Sequence, residues 1–317
     1  MTPWVHSDGR VMRRLELHIT YTCPERCVFC SESHRMAQFK RFPVTWGRVA
    51  TVLRTHAERG VRAVHLTGGE PTIHPRFVDT LRLARKLGMR TSVGTIGTML
   101  AKPSFAAAAL PHLDEALFSL HGPTADVHDP LAGRAGSFST VTAALRQARG
   151  RPNFLPMVNT VVTTDNVAAL PRTVALAVHL GARNVVVSNL TPEGAGLDEY
   201  DGLAVDLEAL EAVVPRAAAA ADGTTLRFFG FPMCVLGDHW ASSNDLHWDP
   251  RVTVEWAQEP GVVRLAEFYN WEPNRKRVQV EACGGCSRSD VCAGVFDRYA
   301  ATRVVELRPR RPGRDSP

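Results

Sequence analysis

The chain has 317 residues, 44% of them hydrophobic and 22% charged, with a formal net charge of +5. That is the composition of a globular protein long enough for a large α/β domain plus an appendage, and no run of eighteen apolar residues is present to span a membrane. Five arginines in Arg303 to Pro317 face only Glu306 and Asp315, so the basic balance belongs largely to a tail without interleaved aromatics and points away from a nucleic-acid groove.

The predicted elements follow in order. Residues 1–14 are a lead-in without the apolar stretch of a secretory signal, so the expected compartment is a reducing cytoplasm and the seven cysteines are ligands or reactive groups. Leu15 to Thr20 alternates enough for a first strand and runs into Cys23-Pro24-Glu25-Arg26-Cys27-Val28-Phe29-Cys30. Thr45 to Gly60 is a predicted helix with Val49, Leu53 and Ala57 on one face. Val61 to Leu66 is the second strand and ends in Leu66-Thr67-Gly68-Gly69-Glu70-Pro71-Thr72. Helices over Pro75 to Leu87, Ser104 to Ala109, Ser137 to Arg149 and Leu170 to Leu180 alternate with strands over Arg90 to Gly97, Glu115 to Leu120, Met157 to Thr163 and Asn184 to Asn189. Six strand–helix alternations predict a parallel sheet whose right-handed crossovers curl it into part of a barrel. The expected fold is an α/β partial (β/α)6 barrel over residues 15–222, with its site at the C-terminal strand ends. Val205 to Ala221 is a predicted helix broken or kinked at Pro215. Trp240, Trp248, Trp256 and Trp271 then mark a change of composition, and a small loop-rich domain is expected over residues 223–302, followed by a flexible basic tail over 303–317.

Three soft ligands within eight residues can cap one metal centre, and no fourth cysteine lies near in sequence. A structural zinc site is normally closed by four protein ligands, whereas a cuboidal iron–sulfur cluster on three thiolates leaves one iron open. By itself the spacing also fits a zinc knuckle lacking its last ligand, and the glycine pair by itself a plain turn. Together, the C-x3-C-x2-C loop and the later Gly68-Gly69-Glu70-Pro71 segment resemble the radical S-adenosylmethionine (SAM) superfamily. The resemblance implies an open barrel, a [4Fe–4S] cluster on Cys23, Cys27 and Cys30, and SAM chelated to the free iron. It implies SAM contacts from Gly68, Gly69, Glu70 and Pro71, the glycines letting backbone approach the methionyl ammonium. Phe118-Ser119-Leu120-His121-Gly122-Pro123, His128-Asp129 and Gly133 to Phe138 resemble the fourth-strand segment of members with extra clusters. There Ser119 would touch SAM ribose or carboxylate, and Asn159 with Val186 or Val187 would meet ribose and adenine. Two departures stand out: Thr95-Ile96-Gly97 replaces Thr-Asn-Gly, and Ala132 replaces an arginine for which Arg134 is a stand-in.

Cys283, Cys286 and Cys292 form a C-x2-C-x5-C run, preceded by Cys234. This resembles the C-terminal SPASM or shorter twitch extension, except that Phe296 stands where the full pattern has another cysteine. The expectation is one auxiliary [4Fe–4S] cluster on Cys234, Cys283, Cys286 and Cys292. Two alternatives stay open: a zinc ribbon, and Cys234 as a hydrogen-atom donor. The implied reaction is reductive cleavage of SAM to a 5′-deoxyadenosyl radical that takes a hydrogen atom from substrate, with net oxidation favoured by a closed auxiliary cluster. A flavodoxin- or ferredoxin-like donor is implied. Because about fourteen residues before the first strand cannot hold a leader-binding module, a small sugar-, aminoglycoside- or nucleoside-like substrate is expected, with a peptide as the alternative. His121 is expected to be a solvated loop residue.

Overall fold

The computed structural model of the protein describes residue 5 and residues 9–271, 276–305 and 307–308; most of the basic tail lies outside them. Seven parallel strands form the body of one sheet: β1 (Arg14–Thr20), β2 (Ala63–Gly68), β3 (Arg90–Thr95), β4 (Glu115–Ser119), β5 (Leu155–Val162), β6 (Asn184–Asn189) and β7 (Thr225–Phe229). They lie in sequence order, each joined to the next by a crossover that carries helix. On the other side of β1, β8 (Arg251–Glu259) runs parallel to it, and β9 (Val262–Asn270) returns antiparallel along the edge, completing nine strands. Cys23 beyond β1 and Phe229 at the end of β7 border the same cavity, so the sheet curls into an open barrel. No helix among the described residues is long and apolar enough to cross a membrane.

The period of two along each strand builds the core. Leu15, Leu17, Val64, Leu66, Val158, Val185 and Val187 are wholly buried, packed within the apolar core. The alternate positions mix polar residues such as Glu16, His65, Ser119 and Asn159 with apolar ones such as Met157 and Val161. Among them Arg14 reaches Glu115 at 3.2 Å, and Glu16 takes Arg251 at 3.3 Å and the Thr253 hydroxyl at 3.4 Å, which keys β8 to β1.

Two expectations change. The stretch read as a loop-rich domain supplies β7 to the barrel and the β8–β9 hairpin to the opposite edge. The hairpin turn falls at Glu259-Pro260-Gly261, with Gly261 at φ +82°, a turn signal the charged flanks obscured. The helix Leu207–Ala220 also continues through Pro215 instead of breaking there. Pro215 and Glu211 are both exposed, so the carbonyl that loses its partner can be hydrated.

The remainder of the appendage is short. β10 (Arg277–Val278) pairs antiparallel with β11 (Val295–Phe296). Arg277 organises it: Nη1 bonds both carboxylate oxygens of Asp245 at 2.8 Å, Nη2 donates to the carbonyls of Gly294 at 2.6 Å and Phe231 at 3.2 Å, and neither side chain of the pair is more than 1% exposed. Removing one partner of a buried ion pair strands the other charge, which costs about 3–5 kcal/mol. Arg277→Met is therefore expected to lower unfolding free energy by that amount in urea titrations, with recovery in the double variant that also carries Asp245→Leu.

Candidate active site

The cysteine loop is held from three sides. Gly69 N–H donates to Thr20 O at 2.8 Å and Glu70 N–H to Thr22 O at 2.9 Å. Arg26 and Val28 donate to the carbonyls of Ala132 and Leu131 at 3.1 and 3.0 Å, and Ala195 donates to Cys30 O at 2.9 Å. So fixed, Cys23, Cys27 and Cys30 all border a cavity of about 270 Å³ at the C-terminal strand ends. Burial pushes the Cys23 thiol up to about 12 and raises Cys27 and Cys30, with neighbouring carboxylates and thiols adding to the effect. No lysine or arginine is among the described residues lining the cavity. A cation bound by the sulfurs themselves would draw these protons off, and three thiols on one loop fit a thiolate-held metal cluster.

The Gly-Gly segment has a use that the sequence does not reveal. A Cβ on Gly68, which sits at φ +110°, would lie 2.2 Å from Thr20 O, and one on Gly69 would lie 2.2 Å from Thr22 O. The glycines admit the cysteine loop, and both still line the cavity. Glu70 does not line it. Its carboxylate, wholly buried, accepts from Thr72 N at 3.1 Å, the Thr72 hydroxyl, the Thr95 hydroxyl at 2.7 Å and Ile96 N at 2.8 Å. It ties the segment to the end of β3, and Pro71 opens the buried turn Pro71–Ile73 behind it. Neither is among the residues bordering the cavity.

Ser119 and Asn159, paired across β4 and β5, do line it. Asn159 Oδ1 accepts from the Ser188 hydroxyl at 2.7 Å, which orients the amide and leaves its NH2 for a ligand. Val187 is wholly buried in the core; the period of two turns its neighbour Ser188 to the cavity instead. Arg134 is exposed and does not border the cavity. Asp129 accepts from Gly136 N and Phe138 N, both at 2.7 Å, and so anchors the start of the helix Ser137–Ala148.

His121, expected to be a solvated loop residue, is instead buried in the cavity wall. It is 2% exposed, its Nδ1 accepts Val161 N–H at 3.2 Å, and the Phe29 ring stands edge-on to it at 4.6 Å. Its place two residues beyond Ser119, just past the end of β4, was the available signal. Burial, with His128 adding, keeps the imidazole neutral. His128 stacks on it at 5.6 Å, accepts its backbone N–H at 2.9 Å, and through Ser137 meets Glu25 inside the cysteine loop. Burial pushes Glu25 up to about 7. Glu32, also in the cavity wall, lies 3.5 Å from His18, whose other nitrogen is 3.4 Å from Glu255, and Arg35 bridges both carboxylates at 3.2 and 2.7 Å.

The other four cysteines meet elsewhere. Cys234 follows β7, and Cys283, Cys286 and Cys292 lie between β10 and β11; all four border one small cavity of about 20 Å³. Burial pushes Cys234 up to about 12, with Cys292 and Cys283 as neighbours, and Met233 N–H points to Cys292 Sγ at 3.4 Å. Cys234 is not among the residues bordering the strand-tip cavity.

An open barrel with three thiols at its mouth defines a class, and the family model described as the radical SAM superfamily matches residues 17–176. The chain belongs to that superfamily, whose enzymes use a [4Fe–4S] cluster and SAM. Among curated proteins it is 33% identical over 197 residues to a PqqA peptide cyclase of Gluconobacter oxydans, covering 61% of this chain and 53% of that one. With the PqqA peptide cyclase of Ruegeria pomeroyi it is 33% identical over 214 residues, covering 65% and 55%. The chain thus spans about half the length of the curated relatives it matches. In fold it is similar to Streptococcus suis SuiB bound to S-adenosylmethionine, with a TM-score of 0.59 at 14% identity over 92% of this chain and 75% of that one.

Two outcomes follow for the site. Gly69→Ala must push a backbone oxygen aside and is expected to cost about 3 kcal/mol of unfolding free energy in urea titration. Burial pushes His128 down to about 4 from 6.5, so its neutral form supports folding fully above pH 6.5 and that support is lost as pH falls toward 4. Between pH 7 and 5 the wild type should lose about 2 kcal/mol more than His128→Gln.

Proposed function

We propose that this chain is a peptide-modifying radical SAM enzyme in which Cys23, Cys27 and Cys30 hold the SAM-binding [4Fe–4S] cluster and Cys234, Cys283, Cys286 and Cys292 hold an auxiliary one. The observation that carries the reading is the division of seven free cysteines into a group of three bordering the strand-tip cavity and a group of four bordering another. Three thiolates leave one iron of a cubane without a protein ligand and four leave none. When bound, the cluster and SAM supply hydrogen-atom abstraction from an unactivated C–H bond, which side-chain acids and bases cannot perform.

The protein's own part is positioning and exclusion. Gly68 and Gly69 offer backbone at one wall, Ser119 a hydroxyl and Asn159 an oriented amide at another, and Phe29, Ile96 and Val161 keep the space between them apolar. Glu70 keeps the glycine segment in register with β3, a positioning role and not a ligand's. Cys234 acts as a cluster ligand; its grouping with three thiols, away from the strand tips, argues against hydrogen-atom donation to substrate. A closed auxiliary cluster suits an electron acceptor in a net oxidation, and the first cluster would be reduced by a flavodoxin- or ferredoxin-like donor.

A peptide substrate is supported by the two PqqA peptide cyclase relatives, whose matched segments cover more than half of this chain. The small-molecule class, suggested by the compact chain, has no comparable support. Anaerobic reconstitution is expected to load about eight irons per chain, about four on each thiol set. Replacing Cys23, Cys27 and Cys30 by Ala should remove half the iron and all formation of 5′-deoxyadenosine, and replacing the other four should remove the remaining half. With dithionite, SAM and the PqqA peptide, a product lighter by two hydrogens is the expected outcome. Zinc in place of iron would falsify the assignment, and 5′-deoxyadenosine formation without any change in peptide mass would return the substrate to the small-molecule class.

A further inference from the structure

The small cavity bordered by Cys234, Cys283, Cys286 and Cys292 has a single charged side chain among its described lining residues, Arg288. It lies within the Cys286–Cys292 loop, and its carbonyl accepts Cys292 N–H at 2.9 Å and Val291 N–H at 3.2 Å, so its backbone is built into the thiol-bearing turn. Its guanidinium lies over the Trp240 ring at 4.3 Å, and its Nη1 is buried. The stack holds the guanidinium against the wall that the sulfurs share.

We propose that Arg288 sets the reduction potential of the auxiliary cluster, holding it more positive than four thiolates alone would. This rests on the reading of these four cysteines as cluster ligands. A cluster on four thiolates is anionic, and its one-electron reduction adds a further negative charge. A guanidinium fixed in the same wall stabilises the reduced form more than the oxidised one, because attraction grows with the charge it faces. The Met233 N–H directed at Cys292 Sγ acts in the same sense but is backbone, whereas Arg288 can be exchanged. Arg288 does not border the strand-tip cavity, so its effect is confined to the second cluster.

The test uses the full chain, reconstituted anaerobically, in the background where Cys23, Cys27 and Cys30 are Ala, so that only the auxiliary cluster is present. Iron and sulfide are counted and the midpoint potential is read by EPR-monitored redox titration for Arg288, Arg288→Gln and Arg288→Lys. The expected result is full iron in all three, a midpoint displaced to more negative potential in Arg288→Gln, and one near the parent's in Arg288→Lys. An unchanged midpoint in Arg288→Gln with full iron overturns the proposal. Loss of iron in Arg288→Gln, with retention in Arg288→Lys, also overturns it, since the side chain then merely closes the pocket. If the background variant itself binds no iron, the auxiliary-cluster reading fails first, an outcome distinct from the other two.

Discussion

The site depends on one close approach of backbone to backbone. The cysteine loop leaves β1 and is pressed against the Gly68-Gly69 segment leaving β2, joined by Gly69 N–H to Thr20 O at 2.8 Å and Glu70 N–H to Thr22 O at 2.9 Å. No side chain fits between them, since a Cβ at either glycine would stand 2.2 Å from a carbonyl oxygen. Neighbouring strands in a parallel sheet bring their C-terminal loops together, and here that juxtaposition is tightened until two loops behave as one wall. Glu70 transmits the constraint to a third strand, because its buried carboxylate can be satisfied only while Thr95 and Ile96 stay where they are.

Burial then decides which polar groups can serve as fixed parts. His121 and His128 are stacked and neutral, each with a nitrogen committed to a backbone N–H. Neutral imidazoles with assigned partners act as rigid donors and spacers, in contrast to exposed histidines, whose charge follows pH. The resulting chain from His121 through His128 and Ser137 to Glu25 braces the cysteine loop. Arg35, between Glu32 and Glu255, braces it from β8.

The second thiol group is built with less sheet and more ion pairing. Four cysteines separated by up to 58 positions close around a small space because Arg277 ties the segments carrying them through Asp245, Phe231 and Gly294. A short two-stranded ladder could not do this alone, as such pairs are marginal in water. The appendage is also less separate than its composition suggests, since β7 before it and the β8–β9 hairpin within it belong to the barrel sheet.

Two local signals in the sequence determined most of the fold: the alternation of short apolar strands with helices, and thiols spaced closely enough to share one centre. Both are set within a few residues of chain, as is the glycine pair that marks the end of β2. The sequence could not tell that the glycines serve the cysteine loop, that Glu70 faces away from the cavity, or that Ser188 and not Val187 faces into it. Nor could it bring His121 inside or attach β8 to β1 across more than two hundred residues. Each of these depends on which face of one strand meets which neighbour, a relation fixed by register and burial between segments distant in sequence, and therefore decided only when the sheet has curled and closed its core.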